Sequence, residues 1–87
     1  MPKIYLTLAN SSKRPLMVQI EPEGADFWLL LDQEFELRAD SEKDDGHFVV
    51  EHCDGYIAVY PSRGDVGYIS VFRERAEVEC GYQRPAN

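Results

Sequence analysis

The sequence predicts an all-β domain, a compact antiparallel β-sandwich or small barrel of about eight short strands. Three observations carry this. Apolar and polar residues alternate with a period of two along most of the chain, as on strands that bury one face. Turn-forming residues interrupt the alternation roughly every 8 to 12 residues, a spacing that joins neighbouring strands by short turns and so favours antiparallel pairing. The chain has 87 residues, enough for one domain and one core.

The first strand is read from Ile4, Leu6 and Leu8 facing one way and Tyr5, Thr7 and Ala9 the other. Asn10 to Arg14 is polar and is expected to form a hairpin connection to a second strand, in which Leu16, Val18 and Ile20 alternate with Met17, Gln19 and Glu21. Pro22-Glu23-Gly24 ends it, because proline removes a donor and glycine allows unusual backbone angles.

Residues 26–38 admit two readings. As a helix capped by Asp26, the stretch would carry a stripe of Phe27, Leu30, Leu31 and Phe35. As two strands about a turn at Asp32-Gln33, it places Phe27, Leu29 and Leu31 on one face, then Phe35, Leu37 and Ala39 on the next. The strand reading is preferred, since it accounts for Leu37 and Ala39 and turns Glu34, Glu36 and Arg38 outward.

Asp40 to Gly46 reads as a charged loop, and His47 to His52 as a strand with Phe48 and Val50 on one face. Cys53-Asp54-Gly55 is a turn, Tyr56 to Tyr60 a strand, and Pro61 to Asp65 a second turn. Val66 to Phe72 alternates again, Arg73 to Arg75 turns, and Ala76, Val78 and a buried Cys80 form the last strand. The domain is expected over residues 1–80, with 81–87 an irregular tail.

Composition narrows the function classes. The chain is 44% apolar, and nine tyrosines and phenylalanines together with Trp28 supply bulky core material, which argues for a folded globule. Nine basic residues against 16 acidic ones leave a net charge of −7. Phosphate backbones repel such a chain at long range, so nucleic acid is not an expected partner. The longest apolar run, Phe27 to Leu31, is far too short to span a membrane. No targeting segment is visible, so a cytoplasmic location is expected, with Cys53 and Cys80 as free thiols. The glycosylation-like Asn10-Ser11-Ser12 and the adhesion-like Arg63-Gly64-Asp65 are chance-level matches that matter only in a secreted protein.

One segment resembles a group of small uncharacterised bacterial β-domains. Asn10 is followed by Pro15-Leu16-Met17-Val18-Gln19-Ile20-Glu21-Pro22-Glu23-Gly24, with Phe27 and Trp28 soon after. Those domains carry an Asn-rich turn, an L-x-V-x-[IL]-E-P strand end, and a strand pair about a Pro-Gly-Glu turn. Here Asp32-Gln33-Glu34 stands at that turn, without its proline and glycine, and Asp54 to Tyr60 fits a later strand. The resemblance covers about half the chain and implies a β-sandwich, with no activity attached.

Four candidate sites can be named. His47, His52, Cys53, Asp54 and Cys80 are all metal-ligand types. Yet His47 and His52 are separated by an odd number and face opposite sides of a strand, and no C-x-x-C or H-x-H is present, so no metal and no cofactor are assigned. Asp40, Glu42, Asp44 and Glu51 fall at positions 1, 3, 5 and 12 of a calcium loop. That loop needs glycine at position 6, where Asp45 stands, so a solvated turn is the better reading. No nucleophile motif is present, and no catalytic residue is assigned. The fourth candidate is an interaction surface. Tyr5, Trp28, Tyr56, Tyr60, Tyr68 and Tyr82 are many amphipathic aromatics for one small domain. Trp28 and Leu30 would lie opposite Phe27, Leu29 and Leu31, making that strand apolar on both faces and marking an interface.

The expectation is a small non-enzymatic binding or accessory module that acts through protein contacts. Its partner would be an unidentified protein or a second copy, with Trp28 and Leu30 at the interface. The alternative is a metal-binding or cupin-like small-molecule module using His47, His52, Cys53 and Asp54.

Overall fold

The computed structural model describes residues 3–41, 46–62 and 67–86. It contains eight strands: β1 (Lys3–Ala9), β2 (Leu16–Ile20), β3 (Ala25–Leu29), β4 (Glu34–Asp40), β5 (Phe48–Cys53), β6 (Tyr56–Pro61), β7 (Ser70–Arg73) and β8 (Ala76–Val78). They form two four-stranded sheets. Sheet A has the order β1-β4-β7-β8 and sheet B the order β3-β2-β6-β5. The expected all-β sandwich is what forms, and residues 26–38 are strands, with no helix among the described residues. Among the described residues no helix is long and apolar enough to cross a membrane.

Alternation decides which side chains meet between the sheets. Phe35, Leu37 and Val71 from sheet A and Val18, Ile20, Leu29 and Val59 from sheet B are almost wholly buried. Their cross-strand partners follow from the register: Leu6 and Val71 flank Leu37, and Ile57 and Phe27 flank Val18. Each large apolar side chain so buried contributes on the order of 1.5–3 kcal/mol. Leu31, expected to share the face of Phe27 and Leu29, lies beyond the end of β3 and is exposed.

Connectivity differs from a succession of hairpins, since β1–β2, β3–β4, β4–β5 and β6–β7 each join strands of different sheets. Asn10 to Arg14 does not close a hairpin; it carries the chain from sheet A to sheet B, because β1 pairs with β4 and β2 with β3 and β6. Asp32-Gln33 likewise joins strands of different sheets, since β3 pairs with β2 and β4 with β1 and β7. The true hairpins are β2–β3, β5–β6 and β7–β8. Pro22-Glu23-Gly24 is thus the hairpin turn of β2–β3, with a cis Glu21–Pro22 bond and Gly24 at φ 74°. All strand pairs are antiparallel apart from β2–β6, which is parallel.

Asn10 is the joint between the first two crossings. It is 3% exposed. Its Nδ2 donates to the carbonyls of Arg14 (2.8 Å) and Leu29 (2.9 Å), and its Oδ1 accepts from the backbone N–H (2.9 Å) and hydroxyl (2.6 Å) of Ser12. Its backbone N–H donates to Gln33 and its carbonyl accepts from Asp32. A buried, engaged Nδ2 is no glycosylation acceptor in the folded chain.

The C-terminal segment covers one sheet edge. Gly81 N–H donates to the Asp26 carbonyl and Trp28 N–H to the Tyr82 carbonyl. The Gln83 side chain donates to the Trp28 carbonyl at 2.7 Å. These bonds occupy backbone groups that β3, as an edge strand, would otherwise present to water.

Candidate functional site

Since the inner faces form the core, any recognition surface lies on an outer face or an edge. On sheet A the register sets Tyr5, Arg38 and Ser70 in one outward row and Thr7, Glu36, Phe72 and Glu77 in the next. The Arg38 guanidinium lies 3.9 Å from the centroid of the Phe72 ring, a cation–π contact. Its Nη2 donates to Glu36 Oε2 at 2.9 Å, and this bond raises the arginine pKa above its ordinary value. Arg38 Nε is buried and has no hydrogen-bond partner among the described residues.

Lys3, Tyr5, Arg38, Asp40, Tyr68 and Phe72 surround a groove of about 230 Å³ on this face. Lys3 Nζ and Asp40 Oδ1, 3.0 Å apart, close one end. Tyr5 is 58% exposed and Tyr68 81%. Tyr68 also borders a second concavity of about 340 Å³ with Glu21, Pro22, Pro61 and Ile69. Two exposed tyrosines beside a stacked arginine are the residue types that anchor protein interfaces.

The outer face of sheet B is equally aromatic but internally satisfied. Trp28, Met17, Tyr56 and Cys53 form one row, and Asp26, Gln19, Ala58 and Glu51 the next. The Trp28 indole N–H donates to Asp26 Oδ2 at 2.9 Å, Gln19 to Glu21, and the Tyr60 hydroxyl to Glu51 Oε1 at 3.3 Å. The Glu51 charge pushes the Tyr60 phenol up, and the hydrogen bond with Cys53 raises Tyr56. Asp26 also accepts from Arg84 Nε at 2.8 Å. This bond, ahead of the Trp28 and Cys80 hydrogen bonds and the arginine charge, holds the carboxyl well below the usual carboxylate range despite desolvation.

Trp28 and Leu30, the residues expected at an interface, are both half-buried. Trp28 stands on the outer face of sheet B, and the Leu30 N–H donates to Gln33 Oε1 beyond the end of β3. The more exposed aromatics are Tyr5 on β1 of sheet A and Tyr68, which precedes β7. Chain alternation marks Tyr5 as outward, but only the pairing of β1 with β4 and β4 with β7 brings Tyr5, Arg38 and Phe72 together.

The metal-ligand types are not gathered. His52 pairs with Ile57 on the inner side of sheet B at its edge, whereas Cys53 pairs with Tyr56 on the outer side. Asp54 is exposed in the β5–β6 turn. His47 lies just before β5, where its backbone N–H donates to the Ser62 hydroxyl at 2.9 Å. Cys80, expected in a buried strand, lies past the end of β8 and is exposed, with Sγ 3.6 Å from Asp26. Among the described residues no three His, Cys, Asp or Glu side chains form a set that could hold a metal ion. Of the calcium-loop residues, Asp40 pairs with Lys3 and Glu51 lies on β5, while Glu42, Asp44 and Asp45 lie outside the described residues, as does Arg63-Gly64-Asp65. Compared with known proteins, the chain matches no family, no curated protein and no solved structure.

Proposed function

We propose that this chain is a small non-enzymatic binding module that acts through protein contacts, using the outer face of sheet A. The observation that carries this reading is the groove in which exposed Tyr5 and Tyr68 flank Arg38 stacked on Phe72. Tyrosine offers a large, rigid contact area with few torsions to freeze, and a stacked guanidinium is held ready to donate. The groove is shallow and ringed by paired charges, which suits a protruding side chain of another protein better than an enclosed small molecule.

Native mass spectrometry of the protein purified from its own cells without chelator tests the reading. A complex with another polypeptide is the expected species. A monomer carrying a metal or small-molecule mass contradicts it.

A further inference from the structure

Residues 81–84 are held on the β3 edge one residue at a time. Gly81 N–H donates to the Asp26 carbonyl at 2.6 Å and Trp28 N–H to the Tyr82 carbonyl at 2.8 Å. Tyr82 thereby pairs with Phe27 in parallel, as a residue of an added strand does. Each side chain in the segment has its own receptor. The Tyr82 ring packs against Phe35, with centroids 6.1 Å apart. The Gln83 amide donates to the Trp28 carbonyl at 2.7 Å and to Gln33 Oε1 at 2.8 Å. The Arg84 guanidinium forms a fork on Asp26, Nε to Oδ2 at 2.8 Å and Nη2 to Oδ1 at 2.5 Å. Gly81 belongs to the same set: its φ is 87°, and a Cβ there would stand 3.1 Å from Arg84 Nη2.

The receptor groups are also positioned by bonds outside this segment. The Trp28 indole N–H donates to Asp26 Oδ2 at 2.9 Å, and Leu30 N–H to Gln33 Oε1 at 3.1 Å. Asp26, Trp28 and Gln33 lie 50 to 58 positions before the residues they bind. The hold on the segment is light by comparison. The Arg84 side chain is 57% exposed. Gln83 has a φ of 58°, a left-handed conformation that strains any residue with a Cβ. Segments held in this way open locally more readily than the sheet behind them.

We propose that the β3 edge is a binding site for an extended segment of another protein carrying glycine, an aromatic residue, glutamine and arginine in succession, and that residues 81–84 occupy this site in the free chain. The site goes beyond the reading above, since it lies on sheet B and uses nothing of the groove. Arginine is required in place of lysine, because the fork on Asp26 takes two N–H donors in one plane. Being attached, residues 81–84 compete at an effective concentration on the order of millimolar, so loosening them should open the site.

The probe is a fluorescent peptide with the sequence of residues 81–87, titrated with the full chain and followed by anisotropy. Wild type is expected to bind it weakly. In Gly81→Ala, Arg84→Ala protein the chain's own segment has lost its fork and its fit, and affinity for the peptide is expected to rise by about tenfold or more. Asp26→Asn added to that protein, or Arg84→Lys in the peptide, should each remove the gain. A folded, loosened protein that binds no better than wild type overturns the proposal, as does binding indifferent to both changes. Amide hydrogen exchange of wild type makes the test independent of how the variants fold. The Gly81 and Trp28 amides are expected to exchange about tenfold or more faster than those of β4, the strand between β1 and β7. Exchange as slow as that of β4 would mean that the edge opens only with the whole fold, and contradicts the proposal. A wild-type dimer in native mass spectrometry that Arg84→Ala abolishes would make the occupant a second copy, overturning a different protein in that place. Tyr5→Ala and Tyr68→Ala, added to the loosened protein, should leave peptide binding intact, so failure of the groove reading and failure of this one are separable.

Discussion

The side-chain amide of Asn10 donates to the main-chain carbonyl of Leu29, 19 residues away, and so ties the first crossing between the sheets to the end of β3. The same amide holds Arg14, and its carbonyl takes both donors of Ser12. Asn10→Ala leaves two carbonyls without this donor, one of them in the buried contact with Leu29, and is expected to cost about 2–4 kcal/mol. Asn10→Asp should cost more, because it turns a carboxylate oxygen toward carbonyl oxygens. Urea unfolding of the three proteins measures both, and an Asp variant as stable as wild type would contradict the assignment.

Stability at acid pH should depend on Asp26. Its folded pKa is depressed below the ordinary 3.8, chiefly by the Arg84 hydrogen bond. A depressed carboxylate stabilises the fold fully above its unfolded pKa, and the contribution is lost as pH falls through the folded value. The gap in unfolding free energy between wild type and Asp26→Asn is therefore expected to be widest near neutrality and to shrink as pH drops below about 4. A gap that is constant with pH would show that the charge is not what matters.

The β7–β8 hairpin carries a correctable strain. Glu74 and Arg75 have φ of 52° and 73°, the left-handed pair of a two-residue turn that ordinarily takes Asn-Gly. The Arg73–Glu74 ion pair is mostly exposed on its acidic side and adds little. Replacing Glu74→Asn and Arg75→Gly together should raise stability by about 1 kcal/mol. Thermal unfolding would show the gain; a loss would mean that the two side chains contribute more than their backbone costs.

Much of the fold could be read before the structure because alternation is local. Leu37 and Ala39 distinguished strand from helix, and each lies on the buried side of β4. Connectivity could not be read the same way. Turn residues report that the chain bends, not whether the next strand joins the same sheet, so Asn10 to Arg14 looked like a hairpin and Pro22 to Gly24 like a break. Side-chain neighbours across strands are not legible locally either: Tyr5 meets Arg38 through a pairing 33 positions apart. Cys80 continued the alternation of Ala76 and Val78, but β8 ends at Val78 and the chain turns away to cover β3.

Tyr68→Ala removes a side chain that is four-fifths exposed, so its effect on stability should stay within about 0.5 kcal/mol. Its effect on partner binding should be far larger, about 2 kcal/mol or roughly thirtyfold, as for a tyrosine at the centre of an interface. Chemical denaturation and calorimetric titration with the recovered partner separate the two quantities. Equal affinity for the variant would remove Tyr68 from the contact.

The most direct test places a photo-reactive amino acid at position 68 on the outer side of sheet A and, in a second protein, at position 56 on the outer face of sheet B. Both are irradiated in the cells that make the protein. The proposed function predicts one discrete protein adduct from position 68 and none of that mass from position 56. Adducts from position 56 alone, or equally from both, would contradict sheet A as the contact surface.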